Sequence, residues 1–150
     1  MVEIRPYKEK DWKSICAIHD AARPDELIGS CDPRAFVPIE QDSEVKELKK
    51  SNKYVAVDGQ KVVGFVGVDG RYLGWLYIDP AYYHQGIGRR LLQKGLDVIG
   101  EGAWTIVLDG NTKAIALYAS EGLKEVHRFE SDNAGYPCTC LRLTRKPIAR

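Results

Sequence analysis

Tyr118, Asn111 and the loop His84-Gln85-Gly86-Ile87-Gly88-Arg89 are the parts of this chain whose residue types and spacing suit chemistry. The loop follows the apolar run Leu76-Tyr77-Ile78 and leads into an apolar-periodic stretch. Its glycines let backbone N–H groups come close to an anion, and the first turn of a following helix adds unpaired donors and the positive end of the helix dipole. A chain built this way can hold a phosphate. Asn111 opens a second helical run, where its amide serves equally as an N-cap or as a hydrogen-bonding group for a ligand. Tyr118 follows the apolar Leu117 and so points roughly 100° away around the helix. Its ring can stay packed while its hydroxyl reaches a cleft.

Two other phosphate motifs are excluded. A dinucleotide fingerprint needs a third glycine where Leu91 stands, and no Gly-Lys-Ser/Thr of a P-loop occurs anywhere. The 150 residues suffice for one domain with one substantial core, expected to span 1–150. With 44% hydrophobic and 29% charged residues and a formal net charge of +1, the composition is that of an ordinary globular protein, and no basic stripe asks for nucleic acid. The N-terminal residues lack the apolar run of a signal peptide, and no stretch approaches the ~18 apolar residues of a membrane span. A cytoplasmic location without membrane attachment is the expectation. Four irregularly placed cysteines fit reduced thiols rather than a disulfide framework, and Cys138 and Cys140 fall on one face of a strand without a second ligand pair for a metal.

The elements that must position these residues follow from apolar periodicity and turn residues. A strand at 2–6 precedes a helix at 12–22, with Asp11 as N-cap and Trp12, Ile15, Ile18 and Ala22 as its apolar stripe, ended by Arg23-Pro24. An irregular stretch covers 25–41, and a charged helix 43–50. Strands at 53–57, 61–68 and 72–78, joined by Asp58-Gly59 and Asp69-Gly70, form an antiparallel meander. A helix at 88–99, a strand at 105–108, a helix at 114–120 stopped by Gly122, and strands at 123–130 and 138–144 complete the chain. This order gives an α+β fold with helices flanking a mixed, mostly antiparallel central sheet.

The segment 76–92 resembles the acyl-CoA-binding motif of the GNAT N-acetyltransferase superfamily: hydrophobic-x-hydrophobic-x-Pro, then Gln/Arg-x-x-Gly-x-Gly/Ala at a helix start. Residues 111–123, Asn-Thr-Lys-Ala-Ile-Ala-Leu-Tyr-Ala-Ser-Glu-Gly-Leu, resemble a second signature, Asn-x-x-Ala-x-x-Leu/Phe-Tyr-x-x-x-Gly-Phe/Leu. The order of elements is similar too, so the resemblance covers essentially the whole chain. It implies acetyl-CoA as co-substrate, no metal, and transfer of an acetyl group to a primary amine by direct attack in a ternary complex. It implies further that Leu76, Tyr77 and Ile78 offer backbone groups to the pantetheine and acyl carbonyl, that His84 to Arg89 wrap the pyrophosphate, that Asn111 bonds the pantetheine arm, and that Tyr118 protonates the leaving thiolate.

Two positions depart from the family pattern. Tyr83 stands where Gln or Arg is usual, and the strand 72–78 carries no carboxylate to serve as base. Asp109, His19, Asp25 and Glu26 are the nearest candidates, each with an ordinary structural explanation, and a water chain serves as well. The acceptor is a small amine or a peptide or protein amine, in a pocket shaped by 26–41 and 131–137 with Phe36, Tyr72, Trp75 and Tyr136 as aromatic candidates, in a monomer or homodimer. The alternative from another class is a catalytically inactive acyl-CoA sensor, supported by the missing base and by Tyr83.

Overall fold

The computed structural model describes residues 1–145. A seven-stranded sheet, order β1-β2-β3-β4-β5-β7-β6, is built from β1 (Val2–Pro6), β2 (Asn52–Asp58), β3 (Lys61–Asp69), β4 (Tyr72–Ile78), β5 (Trp104–Leu108), β6 (Leu123–Asn133) and β7 (Tyr136–Arg145). All neighbours are antiparallel except β4 and β5. The meander forms because Gly59 and Gly70 supply φ of +63° and +58° in their two tight turns, a backbone state that favours glycine. The α+β, mostly antiparallel sheet flanked by helices is thus the fold expected.

Helices α3 (Ile87–Ile99) and α4 (Thr112–Ser120) cover one side of the sheet, α3 driving Leu91, Leu92 and Leu96 against Val66 and Leu73. Helices α1 (Trp12–Leu27) and α2 (Val45–Lys50) belong to the other side, where Ile15, Ile18 and Leu48 meet Val55, Phe65 and Trp75. Each wholly buried leucine or phenylalanine contributes about 1.5–3 kcal/mol.

Arg23-Pro24 does not end α1. The helix runs through Pro24 to Leu27, because tertiary contacts outweigh the bond that proline cannot make. Leu27 is buried, Arg23 pairs with Glu26 at 3.0 Å, and Asp25 accepts from the Tyr83 hydroxyl at 3.0 Å. Beyond Leu27 the stretch is irregular as expected, interrupted only by two short 3-10 turns, Pro33–Ala35 and Ile39–Gln41.

Asp11 occupies the N-cap position of α1, as expected, but its side chain makes no capping bond to that helix. Its side chain accepts from Arg5 at 2.8 and 3.0 Å and from the Lys8 amide at 2.8 Å, so its carboxylate ties β1 to the entry of α1. The Arg5 hydrogen bond holds the Asp11 carboxyl below its usual pKa, against the opposing effect of burial. Asp11→Ala is expected to cost about 2 kcal/mol near neutral pH, less than for a fully buried pair because Arg5 retains access to water. A depressed folded-state pKa stabilises the fold fully above the unfolded value near ~3.9, and that stabilisation is lost as pH falls through the folded value. Denaturation of wild type and variant should therefore show a constant gap from pH 5 to 8 that narrows in acid.

The cysteines differ from expectation. Cys31 and Cys138 are disulfide-bonded, leaving Cys16 and Cys140 as buried free thiols. The loop after α1 lies against β7 with the two Cα atoms 5.4 Å apart, within ordinary bridging range. Their separation of 107 residues gives the sequence no local sign of this pairing.

Candidate active site

β4 and β5 are joined by a single registered pair, Tyr72↔Trp104, and then diverge. Parallel neighbours that part in this way leave the facing backbone groups of both strands without ladder partners, and such groups need a partner when shielded from water. A cleft of about 1220 Å³ fills the opening, lined by Gly74 to Ile78 on one strand and Thr105 to Leu108 on the other. It exceeds the roughly 300–1,000 Å³ of ordinary small-molecule pockets, as suits a long ligand meeting a second molecule.

One end of the cleft is the loop before α3. Gly86 takes φ +79° and His84 φ +65°, and no side chain among the described residues caps α3. The first-turn amides are therefore free to bind an anion, favoured by the dipole. The two motif glycines differ in what they require. A Cβ on Gly88 would meet Ile78 and Leu117 at 3.7 and 3.8 Å, ordinary contact, so alanine fits there, whereas Gly86 is fixed by its positive φ. Gly86→Val is expected to destabilise the fold by about 1–2 kcal/mol and to weaken acetyl-CoA binding by roughly tenfold or more, equivalent to about 1.4 kcal/mol. Calorimetry on the folded variant checks this; unchanged affinity would place the pyrophosphate elsewhere.

Of the residues singled out around this loop, His84, Gly86, Ile87 and Gly88 line the cleft. Gln85 and Arg89 do not. Arg89 instead donates to Ser120 Oγ and Glu121 Oε2, both at 2.8 Å, bracing α3 against the end of α4. Tyr83 also lines the cleft, with its hydroxyl committed to Asp25.

At the centre, Leu76, Tyr77, Ile78, Trp75, Asn111 and Tyr118 converge. Asn111 caps α4, its Oδ1 accepting from the Ala114 amide at 3.4 Å. That long bond leaves its NH₂ for a ligand. Tyr118 is 7% exposed, and its pKa is raised, first by burial and then by the Glu26 charge, with Thr105 opposing. Thr105 in turn donates to the Leu73 carbonyl at 2.6 Å, tying β5 to β4 beneath the opening. A buried phenol kept neutral is a proton donor, the property a departing thiolate requires.

Phe36 and Tyr136 are not brought to the cleft. Both pack around Leu27, Cys138 and Cys140 in a small cluster beside the disulfide, and Tyr136 also faces the Arg34 guanidinium at 5.2 Å. Aromatic type alone did not separate this satellite core from a pocket wall. Tyr72 and Trp75 do line the cleft.

The acidic candidates also sort themselves. Asp109 is tied to Arg128 at 2.9 Å and lies outside the cleft lining. His19 is buried with Nδ1 2.9 Å from Asp20 Oδ1 and its ring edge on Tyr77 at 4.9 Å. Glu26 enters the cleft because α1 continues past Pro24, and burial first and then the Glu26 charge hold the Tyr77 pKa well above its ordinary value. The signal for this in the sequence was the i,i+3 pair Arg23/Glu26, which supports a helical turn.

The comparisons with known proteins agree with this geometry. A family model described as the acetyltransferase (GNAT) domain matches residues 49–125. The chain is 32% identical over 114 residues to the peptidyl-lysine N-acetyltransferase YjaB of Escherichia coli strain K12, covering 72% of this chain and 77% of that protein. Its similarity to the YjaB of Salmonella typhimurium is 36% over 97 residues, 64% of this chain and 66% of that one. A solved GCN5-related N-acetyltransferase from Rhodopseudomonas palustris shares the fold with a TM-score of 0.82 at 19% identity, over 97% of this chain and 95% of that one. With the family model spanning half of its residues and a splayed β4–β5 opening beneath the Gly-x-Gly loop, the chain belongs to the GNAT family of acyl-CoA-dependent N-acetyltransferases.

Proposed function

We propose that this chain, as one domain, transfers an acetyl group from acetyl-CoA to the side-chain amine of a lysine in a peptide or protein, by direct attack in a ternary complex. The observation that carries the reading is the opening between β4 and β5, with the uncapped α3 N-terminus at one end and Tyr118 at the centre. Gly86, Ile87 and Gly88 receive the pyrophosphate, backbone groups of Leu76 to Ile78 and the Asn111 amide hold the pantetheine and the acyl carbonyl, and Tyr118 gives its proton to the sulfur. Backbone donors already fixed in a strand suit the developing negative charge on the carbonyl oxygen, since they need no reorganisation when it forms.

The lysine acceptor is supported by the name of the YjaB relatives and by charge. Glu26, Asp42, Glu44 and Asp132 line the cleft, so a cationic amine is attracted there. Incubation with acetyl-CoA and a panel of lysine peptides, N-terminal amines and small polyamines tests the reading, with mass spectrometry locating the acetyl group. Acetylation confined to peptide α-amines would overturn the lysine assignment, and CoA binding without thiol release would favour the sensor.

A further inference from the structure

Glu26 is the acid that the fold carries into the middle of the cleft. The last turn of α1 is held there by Arg23, whose guanidinium donates to Glu26 Oε1 at 3.0 Å and to Asn133 Oδ1 at 3.1 Å, spanning from α1 to the end of β6. Burial shifts the pKa values of Tyr77 from β4, Tyr118 from α4 and Tyr83 from the α3 loop upward, and the carboxylate's charge acts on each of them in the same direction. A carboxylate has about four lone-pair sites, so Arg23 fixes its orientation through Oε1 while leaving room for an ammonium group. The Glu26 side chain is 28% exposed, which leaves a path to solvent for a proton. Asp25 bonds Tyr83, Asp42 the Glu44 amide and Asp132 the Gly135 amide; the Glu44 carboxylate also lines the cleft, its pKa raised by burial, and it meets the Arg23 charge without a hydrogen bond.

We propose that the Glu26 carboxylate binds the cationic acceptor amine beside Tyr77 and receives its proton, a role that rests on the acetyltransferase reading above. The protons balance. Of the three on the ammonium nitrogen, one passes to Glu26 and on to water, freeing the lone pair that attacks the thioester carbon. The second leaves as the C–S bond breaks, replacing the proton that Tyr118 delivers to sulfur, and the third remains on the amide. The long-range consequence is that Pro24, which the helix tolerates, lies inside the turn that delivers the base.

The probe is N-α-acetyl-lysine methylamide with acetyl-CoA, compared in wild type and Glu26→Gln. The variant should lose roughly 10²- to 10⁴-fold in kcat/KM, while calorimetry gives CoA affinity within about twofold and the melting temperature falls by only a few degrees, since the glutamine carbonyl oxygen still accepts from Arg23, a pattern that loss of a merely structural ion pair would not produce. Without its base the variant can use only amine that is already neutral. Its rate should therefore climb about tenfold per pH unit below the amine's own pKa near ~10.4, more steeply than wild type. Arg23, Tyr77, Tyr83 and Tyr118, which face Glu26, all have raised pKa values and keep their protons through that range. Equal kcat/KM and equal pH slopes overturn the assignment. If wild type releases no thiol with this probe or any amine of the panel, the acetyltransferase reading fails, and Glu26 is judged by NMR titration of the probe onto the CoA-loaded proteins. Weaker binding to the Gln variant then supports the amine site, and binding that is equal in both or absent from both overturns it.

Discussion

Replacing Tyr118 by phenylalanine is expected to slow turnover by about 10- to 10⁴-fold, the range for removing a general acid, while leaving acetyl-CoA affinity nearly unchanged. The asymmetry is the point of the experiment. In the role proposed for it the hydroxyl acts only when charge appears on sulfur, so its loss should fall on kcat and kcat/KM together rather than on ground-state binding. The ring stays, and with it the packing of α4 in the core, so melting should move little. Single-turnover rates are the proper measurement, because slow product release would mask a slowed chemical step. Burial is the first cause raising the Tyr118 pKa, with the Glu26 charge adding to it. A tyrosine shifted upward stays protonated below its ordinary value near ~10, so the wild-type profile should show no falling alkaline limb from this group in the neutral range. Full single-turnover activity in Tyr118→Phe would reduce the residue to a packing role.

The features that the sequence made legible are those set by local chemistry. Asp58-Gly59 and Asp69-Gly70 specify two hairpins by themselves, and both glycines adopt the left-handed conformation such turns need. The α3 stripe of Leu91, Leu92 and Leu96 and the Asn111 cap are equally local, which is why the central elements lie where the periodicity puts them. The errors have a common origin in contacts distant along the chain. Pro24 reads as a stop until Tyr83 and Leu27 hold the next turn in place. Asp11 holds the expected cap position, but Arg5, on the neighbouring strand, claims the carboxylate that would have capped the helix. Cys31 and Cys138 pair only because the loop after α1 crosses β7. Phe36 and Tyr136 share the composition of a pocket wall, and only packing assigns them to the satellite core.

That same crossing gives Gly110 its importance. Gly110 lies in the turn between β5 and Asn111, and its α-carbon faces the backbone of Gly29 and the side chain of Ser30, in the loop that leads from α1 to Cys31. A Cβ built there would overlap the Gly29 carbonyl oxygen and lie 2.7 Å from Ser30 Oγ. The obstacle is main chain, which cannot rotate away as a flexible side-chain tip can. The loop has little freedom to retreat, because the α1 turn before it is pinned by Arg23, Glu26 and Asp25, and Cys31 after it is bonded to β7. Gly110→Val should therefore cost about 3 kcal/mol or more, at or beyond the upper end for overpacking, a fall in melting temperature of roughly 6–12 °C for a domain of this size. The displaced loop takes the end of α1 with it, so acceptor KM should rise more than the CoA dissociation constant. Gly88→Ala is the control, since a Cβ there finds only ordinary contacts and alanine favours the helix, and its melting temperature should hold or rise. A Gly110→Val protein that melts with wild type would mean that the loop after α1 moves freely, and that neither the disulfide nor the Arg23 bridge holds it in place.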